Sequence, residues 1–84
     1  MIADTYNVRL FARFRELAGR DSVTILLQPS ATVRDLRSAL LDVWPNSEAL
    51  LRASTLAIDG EYRDDDYAIS PNDEIALIPP VSGG

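Results

Sequence analysis

The residues whose types and order could do chemistry are the last six of the chain, Pro79-Pro80-Val81-Ser82-Gly83-Gly84. Two consecutive prolines donate no N–H to a sheet and favour an extended polyproline conformation, so they act as a short stiff stalk. Gly83 and Gly84 carry no side chains, which lets a backbone thread a narrow channel and turn sharply at its end. The combination suits delivery of a terminal carboxylate into another protein's active site. A carboxylate with a pKa of ~3.5 is ionised at neutral pH and is a poor electrophile. To react, it has to become a mixed anhydride such as an acyl adenylate and then meet a nucleophile. If that nucleophile is sulfur, the product is a terminal thiocarboxylate, a soft sulfur nucleophile that requires no cysteine. A frayed end or a cloning remnant would also explain Gly-Gly alone, but not its place behind a proline stalk on a domain of the kind outlined below.

Elsewhere the chain is poor in catalytic residue types. It has no cysteine, which excludes disulfides, thiolate metal sites and a Cys nucleophile, and no histidine, which removes the usual general base. A chain of 84 residues makes one domain, burying roughly 60–65% of the surface its unfolded form exposes. That leaves little room for a deep catalytic pocket, and an activity belongs more naturally on an edge, a tail or a partner's surface. The net charge of −5 argues against nucleic acid, whose binding depends on displacing phosphate counterions with Lys and Arg. A basic partner surface is the better fit. The run Asp64-Asp65-Asp66 lacks the alternating ligands, central glycine and distal glutamate of a calcium loop and reads as a solvated turn. All eight basic residues are arginine. Codon usage accounts for this, and so does a second reading, that a carrier with an activated acyl end and no lysine cannot couple to its own side chains. No apolar run approaches the ~20 residues of a membrane span, and Met1–Thr5 has no leader pattern, so the expectation is a cytoplasmic protein with no membrane partner.

The elements that must position the tail are legible from periodicity. Tyr6–Ala12 alternates as a strand, with Val8, Leu10 and Ala12 on one face and Arg9, Phe11 and Arg13 on the other. Phe14–Ala18 is a short helical turn stopped by Gly19, and Ser22–Leu27 is a β-branched, apolar strand that should form a hairpin with the first. Thr32, with Asp35 three residues on, caps the main helix, whose stripe is Val33, Leu36, Leu40 and Val43; Arg34 and Arg37 lie off the stripe and should be solvated. Pro45 stops this helix after Trp44. Asn46 or Ser47 can cap a second short helix through Arg52, with Leu50 and Leu51 inward. Thr55–Ile58 is a strand, Asp59-Gly60 a two-residue hairpin turn, Pro71-Asn72-Asp73 another turn and Glu74–Ile78 the last strand. This order predicts an α+β fold: a ubiquitin-like β-grasp domain over 1–78, its mixed sheet having parallel first and last strands, followed by an extended tail over 79–84. Phe11, Tyr62 and Ile78 fall on adjoining strands away from the inward stripes and form a candidate interface patch. The alternative is that Phe11 or Tyr62 merely covers a sheet edge.

Three stretches resemble a known family, the small subunits of molybdopterin synthase. They are Leu10-Phe11-Ala12-Arg13-Phe14-Arg15-Glu16-Leu17-Ala18-Gly19, Asp59-Gly60-Glu61-Tyr62 and the closing run from Asp73 through Pro79-Pro80-Val81-Ser82-Gly83-Gly84. The resemblance runs from about Val8 to Gly84 and includes Thr32-Val33-Arg34-Asp35-Leu36; its specific part is the closing run. Asp59 departs from the asparagine common in the family, and both residues suit the turn. The resemblance implies a carrier subunit rather than an enzyme complete in itself. A ubiquitin-activating-type adenylyltransferase would use ATP and magnesium to adenylate Gly84, and a sulfur donor would convert the adenylate to a thiocarboxylate. The tail would then enter the large catalytic subunit of a heterotetramer, where sulfur passes to cyclic pyranopterin monophosphate. In that scheme Gly84 is the covalent carrier and Gly83 gives clearance. Phe11, Tyr62, Ile78, Pro79, Pro80 and Val81 meet the large subunit. The chain itself binds no cofactor, because the pterin site belongs to the partner. A thiamine-type sulfur carrier and a ubiquitin-like protein modifier share the tail and its activation and stand as alternatives, as does a passive β-grasp interaction module with an incidental tail.

Overall fold

A computed structural model describes residues 3–80. Strand β1 (Asp4–Leu10) is followed by helix α1 (Arg13–Ala18), strand β2 (Ser22–Leu27) and helix α2 (Val33–Val43). A 3-10 turn (Pro45–Ser47) leads into helix α3 (Glu48–Ala53), and strands β3 (Thr55–Ile58), β4 (Glu61–Tyr62) and β5 (Ile75–Ile78) complete the domain. The sheet order is β2-β1-β5-β3-β4. β1 and β5 run parallel, with Val8 opposite Ile75 and Leu10 opposite Leu77, while every other pairing is antiparallel. This is the mixed sheet expected from the order of elements, with the first and last strands side by side at its centre.

Local chemistry explains why the elements begin and end where they do. Thr32 and Asp35 form a reciprocal cap on α2: the Asp35 N–H donates to Thr32 Oγ1 at 3.3 Å, and the Thr32 N–H donates to Asp35 Oδ2 at 2.9 Å. Gly19 ends α1 in the left-handed region at φ 70°, its N–H donating to the Arg15 carbonyl at 2.9 Å. Asp59 (φ 52°) and Gly60 (φ 83°) both have positive φ, as a tight antiparallel hairpin turn of the primed type requires. The Asp59 side chain also accepts the Glu74 N–H at 2.9 Å, and its N–H donates to the Glu74 carbonyl at 2.8 Å. One turn residue thereby locks the start of β5.

The core lies between the sheet and α2. Tyr6, Val8 and Leu10 from β1, Leu56 and Ile58 from β3, and Ile75 and Leu77 from β5 meet Phe14 of α1 and Val33, Leu36 and Leu40 of α2. The structure corrects three sequence readings of α2 and α3. Val43 is exposed, because the stripe ends instead on Trp44, where helical geometry breaks and the indole packs 5.5 Å from the Phe14 ring. A spacing of four from Leu40 keeps Trp44 over the same face, and the larger side chain takes the place. Arg37 is half-buried rather than solvated, its Nη1 donating to the carbonyls of Leu51 and Ser54 at 2.7 and 2.9 Å, and it ties α2 to the end of α3. Ser47 precedes α3 but makes no capping bond through its side chain. The Asp64–Asp66 turn is exposed and lies against the first turns of α2, with Asp66 2.9 Å from Arg34 and Asp65 3.7 Å from Arg37.

Candidate functional site

Side chains alternate across the sheet, so the strands that supply the core also build its opposite face. Pairing sets Arg9 opposite Ala76, Ala76 opposite Ala57, Ala57 opposite Tyr62, and Thr55 opposite Ile78. The two alanines are the small residues of that face. Larger side chains around them leave a shallow trough of about 300 Å3, lined by Phe11, Tyr62 and Ile78 together with Arg9 and Glu74. The three residues singled out from the sequence as a patch therefore share one concavity. Tyr62 is 71% exposed, and Phe11 and Ile78 are half-buried.

Phe11 is not held by strand pairing, because β1 ends at Leu10. Alternation had placed Ala12 on the inward face; instead it is exposed, at the corner of a tight turn, with φ 50° and ψ −120°. The Phe14 N–H closes that turn on the Phe11 carbonyl at 3.1 Å. An alanine in this region is strained by about 1–3 kcal/mol, and the turn aims the Phe11 ring across the open face, where the Arg9 guanidinium lies 5.5 Å from its centre.

A second groove, of about 700 Å3, continues from the trough through the same Phe11 and Ile78. Pro79, Pro80 and Leu50 of α3 also line it. Two apolar hollows sharing two residues thus make a single path from the middle of the sheet to the base of the tail. Val81, Gly83 and Gly84 lie outside the described residues. Leu50 packs against the core as its inward reading requires, but it stays half-buried beside the fully buried Leu51 and also lines the groove. The alanine floor and the roles of Arg9, Ala12 and Leu50 were not read from the sequence. Strand alternation alone could have found Ala57 and Ala76, since each falls opposite a core residue's face.

Chemically the face is apolar enough to dock a partner. Its lining is mostly apolar, with Arg9, Arg13 and Glu74 as the charged members, and among the described residues no group of carboxylates converges as a metal site. Among these residues, too, no helix is long and apolar enough to cross a membrane.

A five-stranded mixed sheet with β1 parallel to β5 at its centre, crossed by one main helix, defines a ubiquitin-like β-grasp protein. The family model described as ThiS family matches residues 8–84, and the chain belongs to that family. The molybdopterin synthase sulfur carrier subunit of Dictyostelium discoideum is 41% identical over 99% of this chain and 100% of its own length. The molybdopterin synthase sulfur carrier subunit of Arabidopsis thaliana is 36% identical over 93% of this chain and 81% of its own. Among solved structures, small archaeal modifier protein 1 of Haloferax volcanii superposes with a TM-score of 0.78 at 30% identity, covering 93% of this chain and 99% of that one. The resemblance to molybdopterin synthase small subunits read from the sequence thus extends over nearly the whole chain.

Proposed function

We propose that this protein is the sulfur carrier subunit of a molybdopterin synthase, acting in the cytoplasm, with Gly84 as the covalent carrier. The observation that carries the reading is the continuous apolar path from Tyr62, Phe11 and Ile78 to Pro79 and Pro80. A large subunit docked on this path would receive the tail at the point where the path ends. The names of relatives at 41% and 36% identity support the same assignment.

In this reading a ubiquitin-activating-type adenylyltransferase takes ATP with magnesium. The Gly84 carboxylate oxygen attacks the α-phosphorus, the acyl adenylate forms and pyrophosphate leaves. A persulfide on the sulfur donor then attacks the acyl carbon through its outer sulfur, and AMP departs. A thiol reductant cleaves the S–S bond of the resulting acyl disulfide, leaving a thiocarboxylate on Gly84 while the donor thiol and the reductant end as a disulfide. The large subunit, in a heterotetramer with this chain, directs that sulfur to cyclic pyranopterin monophosphate, and two such transfers build a dithiolene. Pro79, Pro80 and Val81 span the interface, and Gly83 gives clearance in the channel. This chain contributes the docking face and the tail, and the pterin pocket belongs to the partner.

Reconstitution tests the assignment. The thiocarboxylated chain, mixed with a large subunit and cyclic pyranopterin monophosphate, should yield molybdopterin, and a chain lacking Gly83-Gly84 should yield none. The likeness to small archaeal modifier protein 1 favours a second reading, in which the activated Gly84 acyl group passes to a lysine amine of a target protein. Isopeptide-linked products on other proteins, with no sulfur transfer to the pterin, would select it. A thiamine-type carrier would instead support thiazole formation.

A further inference from the structure

We propose that the free edge of β2 is a separate binding site that takes an extended basic peptide as an added strand. The sheet order leaves Ser22–Leu27 paired with β1 on one side only. In an antiparallel ladder alternate residues direct their N–H and C=O toward the partner strand. The Leu10 N–H donates to the Asp21 carbonyl at 2.7 Å, and this sets the phase: Val23, Ile25 and Leu27 bond toward β1, while Ser22, Thr24 and Leu26 present N–H and C=O groups to the open side. Proteins commonly protect such edges with charge, proline, a bulge or short length. The opposite edge, β4, is two residues long, whereas β2 has six residues with neither charge nor proline.

What lies beside this edge indicates the occupant. A groove of about 420 Å3 runs between β2 and α2, with Leu27, Ala31 and Ala39 as its apolar floor. Asp35 and Asp42, two turns apart on α2, both line it, and no cationic side chain does. Asp35 is engaged in the helix cap, and Asp42 has no ion pair among the described residues. A strand added to β2 would lay alternate side chains over the floor and beside these carboxylates, so charge complementarity selects lysine or arginine between apolar residues. A second copy of this chain is a poor occupant. It carries the same net charge of −5, and edge-to-edge pairing would bring like aspartates together. The groove lies on the helix side of the sheet and the Phe11–Ile78 trough on the other, so both can be filled at once.

Amide-resolved NMR with synthetic peptides tests the site. A short peptide of alternating valine and lysine should shift the amides of Ser22–Gln28 and of α2 between Asp35 and Asp42, leaving Phe11, Tyr62 and Ile78 unmoved. The same peptide methylated on alternate backbone nitrogens, and a valine–glutamate peptide, should bind far more weakly. Asp42→Asn, a change at an exposed helix position, should weaken binding by up to about fivefold. Thr24→Pro removes one outward N–H without touching the bonds to β1 and should abolish the shifts. Several outcomes would overturn the proposal: no shifts at β2, equal binding of the glutamate peptide, shifts confined to the Phe11 face, or concentration-dependent shifts at β2 without peptide, which would make a second copy the occupant.

Discussion

The Arg9 guanidinium sits 5.5 Å from the centre of the Phe11 ring, on the side of the sheet facing away from the core. The contact holds an aromatic side chain half-buried at the junction of the two apolar hollows, with a cation beside it. Buried aromatic anchors of this kind commonly supply a large share of binding energy.

Replacing Phe11 should therefore act on association rather than on folding. Phe11→Asp puts a charge at the junction, and we expect affinity for the large subunit to fall by at least about 2 kcal/mol, roughly thirtyfold. The circular dichroism spectrum and melting temperature should stay close to those of the parent. Calorimetry against the large subunit makes the comparison, and unchanged affinity would remove Phe11 from the interface.

Arg37 should behave in the opposite way. Its guanidinium serves the carbonyls of Leu51 and Ser54, and truncation leaves both acceptors half-buried without that donor. Arg37→Ala should cost about 1–3 kcal/mol in urea denaturation, with tail chemistry intact in the folded fraction. The flanking Arg34, paired with Asp66 at the surface, should tolerate alanine within about 1 kcal/mol.

Tyr6 gives a pH dependence whose sign can be worked out. Its ring is fully buried on β1 and its hydroxyl has no hydrogen-bond partner among the described residues. Burial raises its phenol above the ordinary value of 10.0, and the carboxylates of Asp4 and Asp73 raise it further. The folded state therefore keeps the proton longer than the unfolded chain does. Stability from this group is fully present below the unfolded value and falls as pH climbs past 10.0 toward the folded value. Tyr6→Phe should flatten that alkaline decline and leave stability at neutral pH unchanged or up to about 1 kcal/mol higher. Urea titrations at neutral and alkaline pH measure both.

Ala12 carries positive-φ strain, and glycine would relieve it. Ala12→Gly should leave stability unchanged or raise it by up to about 2 kcal/mol, because about 1–3 kcal/mol of relieved strain is offset by about 0.4–1 kcal/mol of greater freedom in the unfolded chain. Ala12→Val should destabilise and, by displacing Phe11, should weaken the large-subunit complex as well. A thermal melt read beside a binding isotherm separates the two effects.

Much of this architecture was legible in the residues. The boundaries of β2 and β3, the Thr32–Asp35 cap, the Gly19 stop and the Asp59-Gly60 turn each rest on local chemistry that acts within a few residues. Ile78 falls on the open face by alternation along the last strand and Tyr62 follows the hairpin turn, whereas Phe11 reaches the same hollow through the turn at Ala12, beyond the end of β1. What escaped depended on packing between distant elements. Val43 and Trp44 compete for one position at a helix end, and only the nearby Phe14 ring decides between them. Arg37 looks like any solvated helix charge until α3 places two carbonyls beside it. The bend at Ala12 runs against alanine's own preferences, so periodicity carried the strand too far. The groove beside β2 likewise needed the strand order, which places Ser22–Leu27 at an edge.

The claim at the centre of this account is that Gly84 carries sulfur. Its most direct test is the intact mass of the chain after incubation with an activating adenylyltransferase, ATP, magnesium and a sulfur donor. The account predicts a gain equal to one oxygen exchanged for sulfur, located by fragmentation at Gly84 and absent from a chain lacking Gly83-Gly84. No gain, from an enzyme shown to thiocarboxylate a related carrier, would contradict it and leave the domain as a β-grasp interaction module.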